Sequence, residues 1–370
     1  MRVLITGGLG FIGSALSRRL ISLGHHVRIL DAVTTQVHGD VPVLDIPEGA
    51  EFVRLDVREL ANRPDLVEGM DAVYHLAAET GTAQSMYQIR HYVDVNEGGT
   101  AALLEAIGQC KTRPGKVILT SSRSVYGEGA FADAAGRTVL PEPRTREQLD
   151  AAKWELIGQD GKELTPIATP ETLNFAPGSI YAATKASQEL LLNSASQALG
   201  FTSVILRLQN VYGEGQSLQN PYTGIISIFF NRARQGLMLP IYEDGLETRD
   251  FVHVDDVVTA LVAAMTRDVP SGSICNVGSG VATTVSDLAA KLLDAAAIEV
   301  EVKVTGQFRV GDIRHNFASI DQARKLLGFE PQVSLSQGLG RFCAWAANEP
   351  VYGDRLDQAT AELKAKGLAN

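Results

Sequence analysis

The chain has 370 residues, of which 45% are apolar and 21% charged, and a net charge of −10. That is a globular composition, long enough for one large or two unequal domains. The acidic balance and the lack of any Lys/Arg block exclude nucleic acid as the main partner, and no run approaches the roughly eighteen apolar residues of a membrane span.

Cys110, Cys275 and Cys343 lie far apart without metal-ligand spacing, so no metal is expected and a reduced, cytoplasmic protein is. A first strand beginning at Arg2 leaves no room for a secretory leader. Val3-Leu4-Ile5 reads as a strand buried on both faces. Thr6-Gly7-Gly8-Leu9-Gly10 then turns the chain, and Phe11-Ile12-Gly13 opens a helix with apolar positions at Ala15, Leu16, Leu20 and Ile21. Gly7 permits the tight turn, Gly10 admits a pyrophosphate to the backbone, and Gly13 lets helix pack on strand. The phosphates would sit on the first turn, at Phe11 and Ile12, against free N–H groups and the positive dipole end. The alternative is a glycine-rich turn with no ligand.

A second strand, His26–Leu30, ends on Asp31. That is about twenty residues past the glycines, where a carboxylate hydrogen-bonds the adenosine ribose and repels a 2′-phosphate. NAD is therefore favoured over NADP, unless Asp31 is only a turn residue. Glu51–Leu55 is a third strand, ending on Asp56 and Val57, with Asp56 placed to meet the adenine amino group. Val73–Ala78 is a fourth, and its small end at Leu76, Ala77 and Ala78 suits close passage of the dinucleotide. His75 within it reads as a core residue. A helix follows from about Tyr92 to Ile107, with Asn96 near its start assigned to the cofactor. Lys116–Thr120 is a fifth strand that delivers Ser121-Ser122-Arg123-Ser124-Val125-Tyr126-Gly127. Strands alternating with helices argue an α/β fold, a Rossmann-type doubly wound parallel sheet with ligands at the carboxyl ends of its strands.

The polar stretch 128–177 breaks this alternation. It reads as a surface excursion near the site, a candidate lid, with a small hairpin turning at Asp160-Gly161. Ser179–Lys185 then opens an amphipathic helix to about Leu199. Tyr181 and Lys185 fall one turn apart on one face of it. The ammonium and a positive nicotinamide would both lower the tyrosine pKa from about 10, making a base for a secondary alcohol. Ser122 would hydrogen-bond the reacting oxygen, and Lys185 would also hold the cofactor ribose.

The segments TGGLGFIGS at 6–14, HLAA at 75–78, SSRSVYG at 121–127, YAATK at 181–185, RLQNVYG at 207–213 and RDFVHVDD at 249–256 together carry a resemblance. The chain resembles an extended short-chain dehydrogenase/reductase, in the branch of NAD-dependent nucleotide-sugar epimerases and dehydratases, from residue 1 to about 346. Within the branch, QVHG at 36–39, SMYQIRHYVDVN at 85–96, SVYGEGAF at 124–131 and SLQNPYTG at 217–224 look most like dTDP-L-rhamnose 4-epimerase-type proteins. A Cys pair frequent in the excursion of that group is missing around Ile157–Gly161.

The resemblance implies NAD as cofactor, a dTDP- or UDP-sugar as substrate and a homodimer built on helices 92–107 and 179–199. The same apolar faces could instead be buried internally. It also implies substrate roles: Thr80, Ser122, Arg123 and Asn210 at the sugar or its phosphate, Asn220 at a helix start facing the pyrophosphate, and Tyr242 at the base. Arg249 and Arg309 would clamp the phosphates, or else pair with Asp250 and Asp312 on the surface. Residues 1–208 and about 247–275 would form the cofactor domain, with the excursion as an insertion. About 209–246 and 276–346 would form the sugar-nucleotide lobe, with a helix at Val285–Ala296 capped by Ser286, and 347–370 a tail. Dehydratases of the branch carry Asp-Glu after the catalytic serine, an acid and a base for eliminating water. Arg123-Ser124 stands there instead, which argues against elimination and for epimerisation at C4 through a 4-keto sugar. The alternatives are an NAD(P)H-dependent 4-keto-sugar reductase and, more distantly, a non-catalytic dinucleotide-binding protein.

Overall fold

The computed structural model describes residues 1–38, 44–219, 224–309, 311–354 and 356–366. Its first element, β1 (Arg2–Thr6), alternates between two cores. Val3 and Ile5 enter one and Leu4 the other, so the strand is apolar throughout because both its faces are covered. Around it lie α1 (Phe11–Ser22), β2 (His26–Asp31), β3 (Glu51–Arg54), β4 (Ala72–His75), α2 (Gly99–Gln109), β5 (Lys116–Ser122), α3 (Ile180–Leu199) and β6 (Thr202–Leu208). A one-turn helix and a π-helical stretch, Ile89–Tyr92 and Val93–Gly98, lead into α2.

Further along come β7 (Asn210–Tyr212), α4 (Ile225–Arg234), β8 (Leu239–Ile241), β9 (Thr248–Arg249), β10 (Phe251–His253), α5 (Val254–Thr266) and β11 (Ser273–Val277). The main sheet is parallel throughout, in the order β11-β6-β5-β4-β1-β2-β3. Strand order reverses between β1 and β4, which opens a crevice at their carboxyl ends. Leu16 and Leu20 of α1 pack with Val257 and Leu261 of α5 on one face, and Leu103 and Ile107 of α2 with Leu192 of α3 on the other.

The second lobe contains β12 (Thr283–Thr284), α6 (Val285–Ala296), β13 (Val302–Val304), β14 (His315–Asn316), α7 (Asp321–Leu327) and α8 (Leu335–Ala346). Its own core joins Phe229 and Phe230 of α4 to Leu288, Leu292 and Phe342. Three expectations are corrected here. Asn276 and Val277 complete β11 of the large sheet, and Ile320, Ala323 and Leu327 pack into the cofactor-side core, because α7 fills the face that α5 leaves open. The chain thus returns to the first domain before ending in the lobe. Thr284, not Ser286, caps α6 by accepting from the Asp287 N–H at 3.0 Å. The tail carries a helix, α9 (Leu356–Ala365), anchored by Arg232 to Asp354 and Asp357.

The excursion is no free lid. Phe131–Ala132 pairs with Thr138–Val139 and Thr165–Pro166, and Gly161 turns a minimal hairpin closed at Ile157 and Glu163. A buried ionic cluster then fastens it to the second lobe. Arg144 donates to Glu243 at 2.8 Å, and Arg314, fully buried, reaches Glu155 at 2.6 Å and Asp244 at 2.7 Å.

Candidate active site

Gly7 ends β1 in the left-handed region at φ +71°, and a Cβ there would lie 2.7 Å from the Ala77 nitrogen. A Cβ on Gly13 would lie 2.3 Å from the Gly7 carbonyl oxygen. Only glycine fits either place. Gly10 stands before α1, and no side chain caps that helix, so its first N–H groups are left for a ligand anion. The resulting cavity of about 390 Å³ is lined by Gly7, Gly10, Phe11, Ile12, Gly13 and Asp31. It is closed on its other sides by Asp56, Val57, Leu76, Ala77, Ala78 and Thr80, and at its far end by Ser122, Tyr181 and Lys185. This cradle fits a dinucleotide.

Asp31 is fixed by the N–H groups of Leu9 at 3.0 Å and Val33 at 2.8 Å, with His38 at 3.6 Å. Burial alone would raise its pKa, but those partners outweigh it and hold the carboxyl below its ordinary value. It therefore stays ionised at neutral pH. Asp56 is kept ionised by Arg58, which it meets at 2.9 and 2.6 Å. Asn96 is different: its amide is used up by the Glu79 N–H, the Glu79 carbonyl and Thr184 Oγ1. It positions the wall after β4 and does not line the cavity, a correction to the assignment made from sequence. His75 bonds Thr6 and Thr100, and burial holds its pKa down at about 3, as a neutral core group requires.

Helix α3 brings Tyr181 and Lys185 to the cavity. Ser179 caps it by accepting from the Ala182 N–H at 3.2 Å, and the Tyr181 N–H donates to Ser85 Oγ at 3.0 Å. The Ser122 hydroxyl faces Tyr181, and its Oγ accepts from the Ser124 N–H at 3.2 Å. Burial raises the Tyr181 pKa, against the pull of Ser122 and Arg123. One turn on, burial pushes Lys185 down to about 7, against the pull of Glu189. Arg123 is half-buried and donates from Nε to Asn210 Oδ1 at 3.3 Å. Burial first, then Arg249, lowers its pKa to about 9, so it remains a cation at neutral pH.

On the lobe side, Arg309 stacks over Tyr242 at 4.9 Å, and its buried Nε has no partner among the described residues. Neither Arg309 nor Arg249 pairs with its neighbouring aspartate. Arg249 donates to the carbonyls of Thr248, Ile313 and Arg314, and Asp250 is taken by Ser279, Gly280 and Ala318. Asn210 Nδ2 is also buried without a partner among the described residues. The assignment of Asn220 falls outside the described residues. Two features escaped the sequence reading. Gln216 and Ser217 reach the cofactor cavity from the lobe. Glu189 bonds Ser121 and pairs with Arg207 at 2.7 Å beneath the reacting end. Its signal was present, because Glu189 follows Tyr181 and Lys185 at the same four-residue interval.

Comparison with known proteins adds three observations. The model of the NAD dependent epimerase/dehydratase family matches residues 3–278. A dTDP-L-rhamnose 4-epimerase of Burkholderia thailandensis is 41% identical, covering 94% of this chain and 95% of its own length. Among solved structures, the UDP-glucose 4-epimerase of Thermotoga maritima with UDP-glucose has a TM-score of 0.76 at 28% identity, covering 94% and 99% of the two chains. The UDP-glucuronic acid 4-epimerase of Bacillus cereus, in complex with UDP-glucuronic acid and NAD, has 0.75 at 27% identity, with coverages of 94% and 99%.

Proposed function

The chain belongs to the NAD dependent epimerase/dehydratase family, and from that premise we propose that it is a nucleotide-sugar 4-epimerase acting on a dTDP-6-deoxyhexose such as dTDP-L-rhamnose. NAD is its cofactor. The observation that carries the reading is Ser122, Tyr181 and Lys185 at one end of the dinucleotide cavity, with Arg123 and Ser124 where elimination would need carboxylates. Tyr181 takes the proton of the C4 hydroxyl while Ser122 orients that oxygen. Bound NAD+ supplies the hydride acceptor at C4 and, after reduction, the donor. Arg123 and Asn210 lie beside the sugar, Tyr242 under the base, and Arg249 and Arg309 on the diphosphate. The sugar must present its other face between the two hydride steps, so net redox is zero and no outside nicotinamide is consumed.

The thymidine preference rests on likeness to the Burkholderia protein. A homodimer accounts for the exposed Val93, Leu190 and Leu191 on the two helices assigned to the interface, and for Ile89 just before the first of them. Three free, buried cysteines suit a cytoplasmic location, and among the described residues no helix is long and apolar enough to cross a membrane. The deciding experiment incubates the purified chain, without added cofactor, with dTDP-L-rhamnose and a panel of UDP-, GDP- and dTDP-hexoses. A 4-epimer accumulating to equilibrium is expected. Turnover only of a 4-keto sugar with supplied NADH or NADPH would replace the epimerase by a reductase.

A further inference from the structure

The strands β2 and β4 flank β1, so the loops that follow them form opposite walls of the cofactor cavity. Those walls are joined by a reciprocal pair of amides. Gln36 Nε2 donates to Gln84 Oε1 at 2.9 Å, and Gln84 Nε2 donates back to Gln36 Oε1 at 3.2 Å. Each amide thereby satisfies the other, and salt does not screen the contact as it would an ion pair.

The two ends are unequal. Gln84 is 6% exposed, and its Oε1 lies 3.0 Å from Tyr92 Oη, which also meets the Thr80 carbonyl at 2.6 Å. Gln36 is exposed on the one-turn helix Thr35–His38, which buries none of its residues. His38 approaches Asp31 at 3.6 Å on the turn's own side, and among the described residues the Gln84 amide ties this turn across the cleft. A rigid post on one wall holds a loosely packed turn on the other.

We propose that Gln36 and Gln84 form a latch that closes the dinucleotide cavity and slows the release of NAD, keeping one cofactor through many turnovers. The latch depends on the cofactor and not on which sugar is bound, so it can stand or fall apart from the substrate proposed above. Release requires the turn after β2 to lift, which breaks both amide bonds. Two such bonds correspond to an off-rate about tenfold faster when they are removed.

The test is exchange of bound NAD against excess isotope-labelled NAD on purified holoenzyme, with thermal melting as a control for folding. Gln36→Ala, an exposed position, should release NAD about tenfold faster without a change in melting temperature of the cofactor-free chain. Gln84→Ala should also release NAD about tenfold faster, and the double variant should be no faster than the quicker single one, since either change opens the latch. Unchanged exchange in Gln36→Ala would overturn the proposal whether or not Gln84→Ala folds. Multiplicative effects in the double variant would also overturn it, because each glutamine would then be contacting the cofactor by itself.

Discussion

At Tyr181 two influences oppose each other: burial favours the neutral phenol, while the Ser122 hydroxyl and the Arg123 charge favour the phenolate. Turnover should therefore rise with pH as the tyrosine ionises, and Arg123→Met should move that rise to higher pH by removing the charge. A pH profile of kcat for the two proteins checks this; coincident profiles would show that Arg123 does not act on Tyr181. Tyr181→Phe should keep its NAD, because the cradle is untouched, yet lose turnover by about a thousandfold, the scale of a lost general base. Steady-state kinetics and the NAD content of the purified variant give the answer. Arg249→Ala and Arg309→Ala should each raise KM for the sugar nucleotide, a phosphate contact being shared by ground and transition states. Unchanged KM in both would remove the clamp.

Among the elements, α3 is held to β5 and β6 by one buried ion pair. Glu189 and Arg207 are both almost fully buried, and Arg207 also lies over Tyr126 at 4.7 Å. Glu189→Ala would strand the guanidinium without its counter-charge, which costs about 3–5 kcal/mol and should appear as a lower denaturation midpoint. At the edge of the cluster between the excursion and the lobe, Glu247 lies 3.8 Å from Arg314. Burial lifts the Glu247 carboxyl from its ordinary 4.5 to about 7. Between those values the folded chain holds a proton that the unfolded chain has lost, so stability falls as pH rises through that window. Glu247→Gln should flatten the fall and melt higher than wild type at about pH 8. A variant as pH-dependent as the parent would place the titration elsewhere.

For the molecule as a whole, the outward faces of the helices around α2 and α3 leave Ile89 49% and Leu190 59% exposed. A second copy would cover both. Light scattering at micromolar concentration should give close to twice the 39.6 kDa of one chain, and Leu190→Glu should lower it. A monomeric mass for the unaltered protein would leave those side chains without an occupant.

Most of the cofactor half was readable in the chain, because its determinants are local. Gly7 and Gly13 answer to backbone geometry within one turn, Asp31 to the end of its strand, and Tyr181 and Lys185 to the pitch of one helix. Asn96 was misassigned because its partners, Glu79 and Thr184, lie 17 and 88 residues away, and spacing within one helix carries no record of them. The excursion read as a lid because its charged residues look solvated in sequence; Arg144 and Glu155 find their partners only once Glu243 and Arg314 arrive from the second lobe. The return of α7 to the first core is likewise invisible locally, since its apolar face would suit either lobe. The sequence alone determined the sheet, the dinucleotide cradle and the helix that carries Tyr181 and Lys185, where neighbours in chain are neighbours in space. Only the tertiary structure decided which charges are buried together and which distant loops meet across the cleft, because such contacts depend on the mutual placement of finished elements.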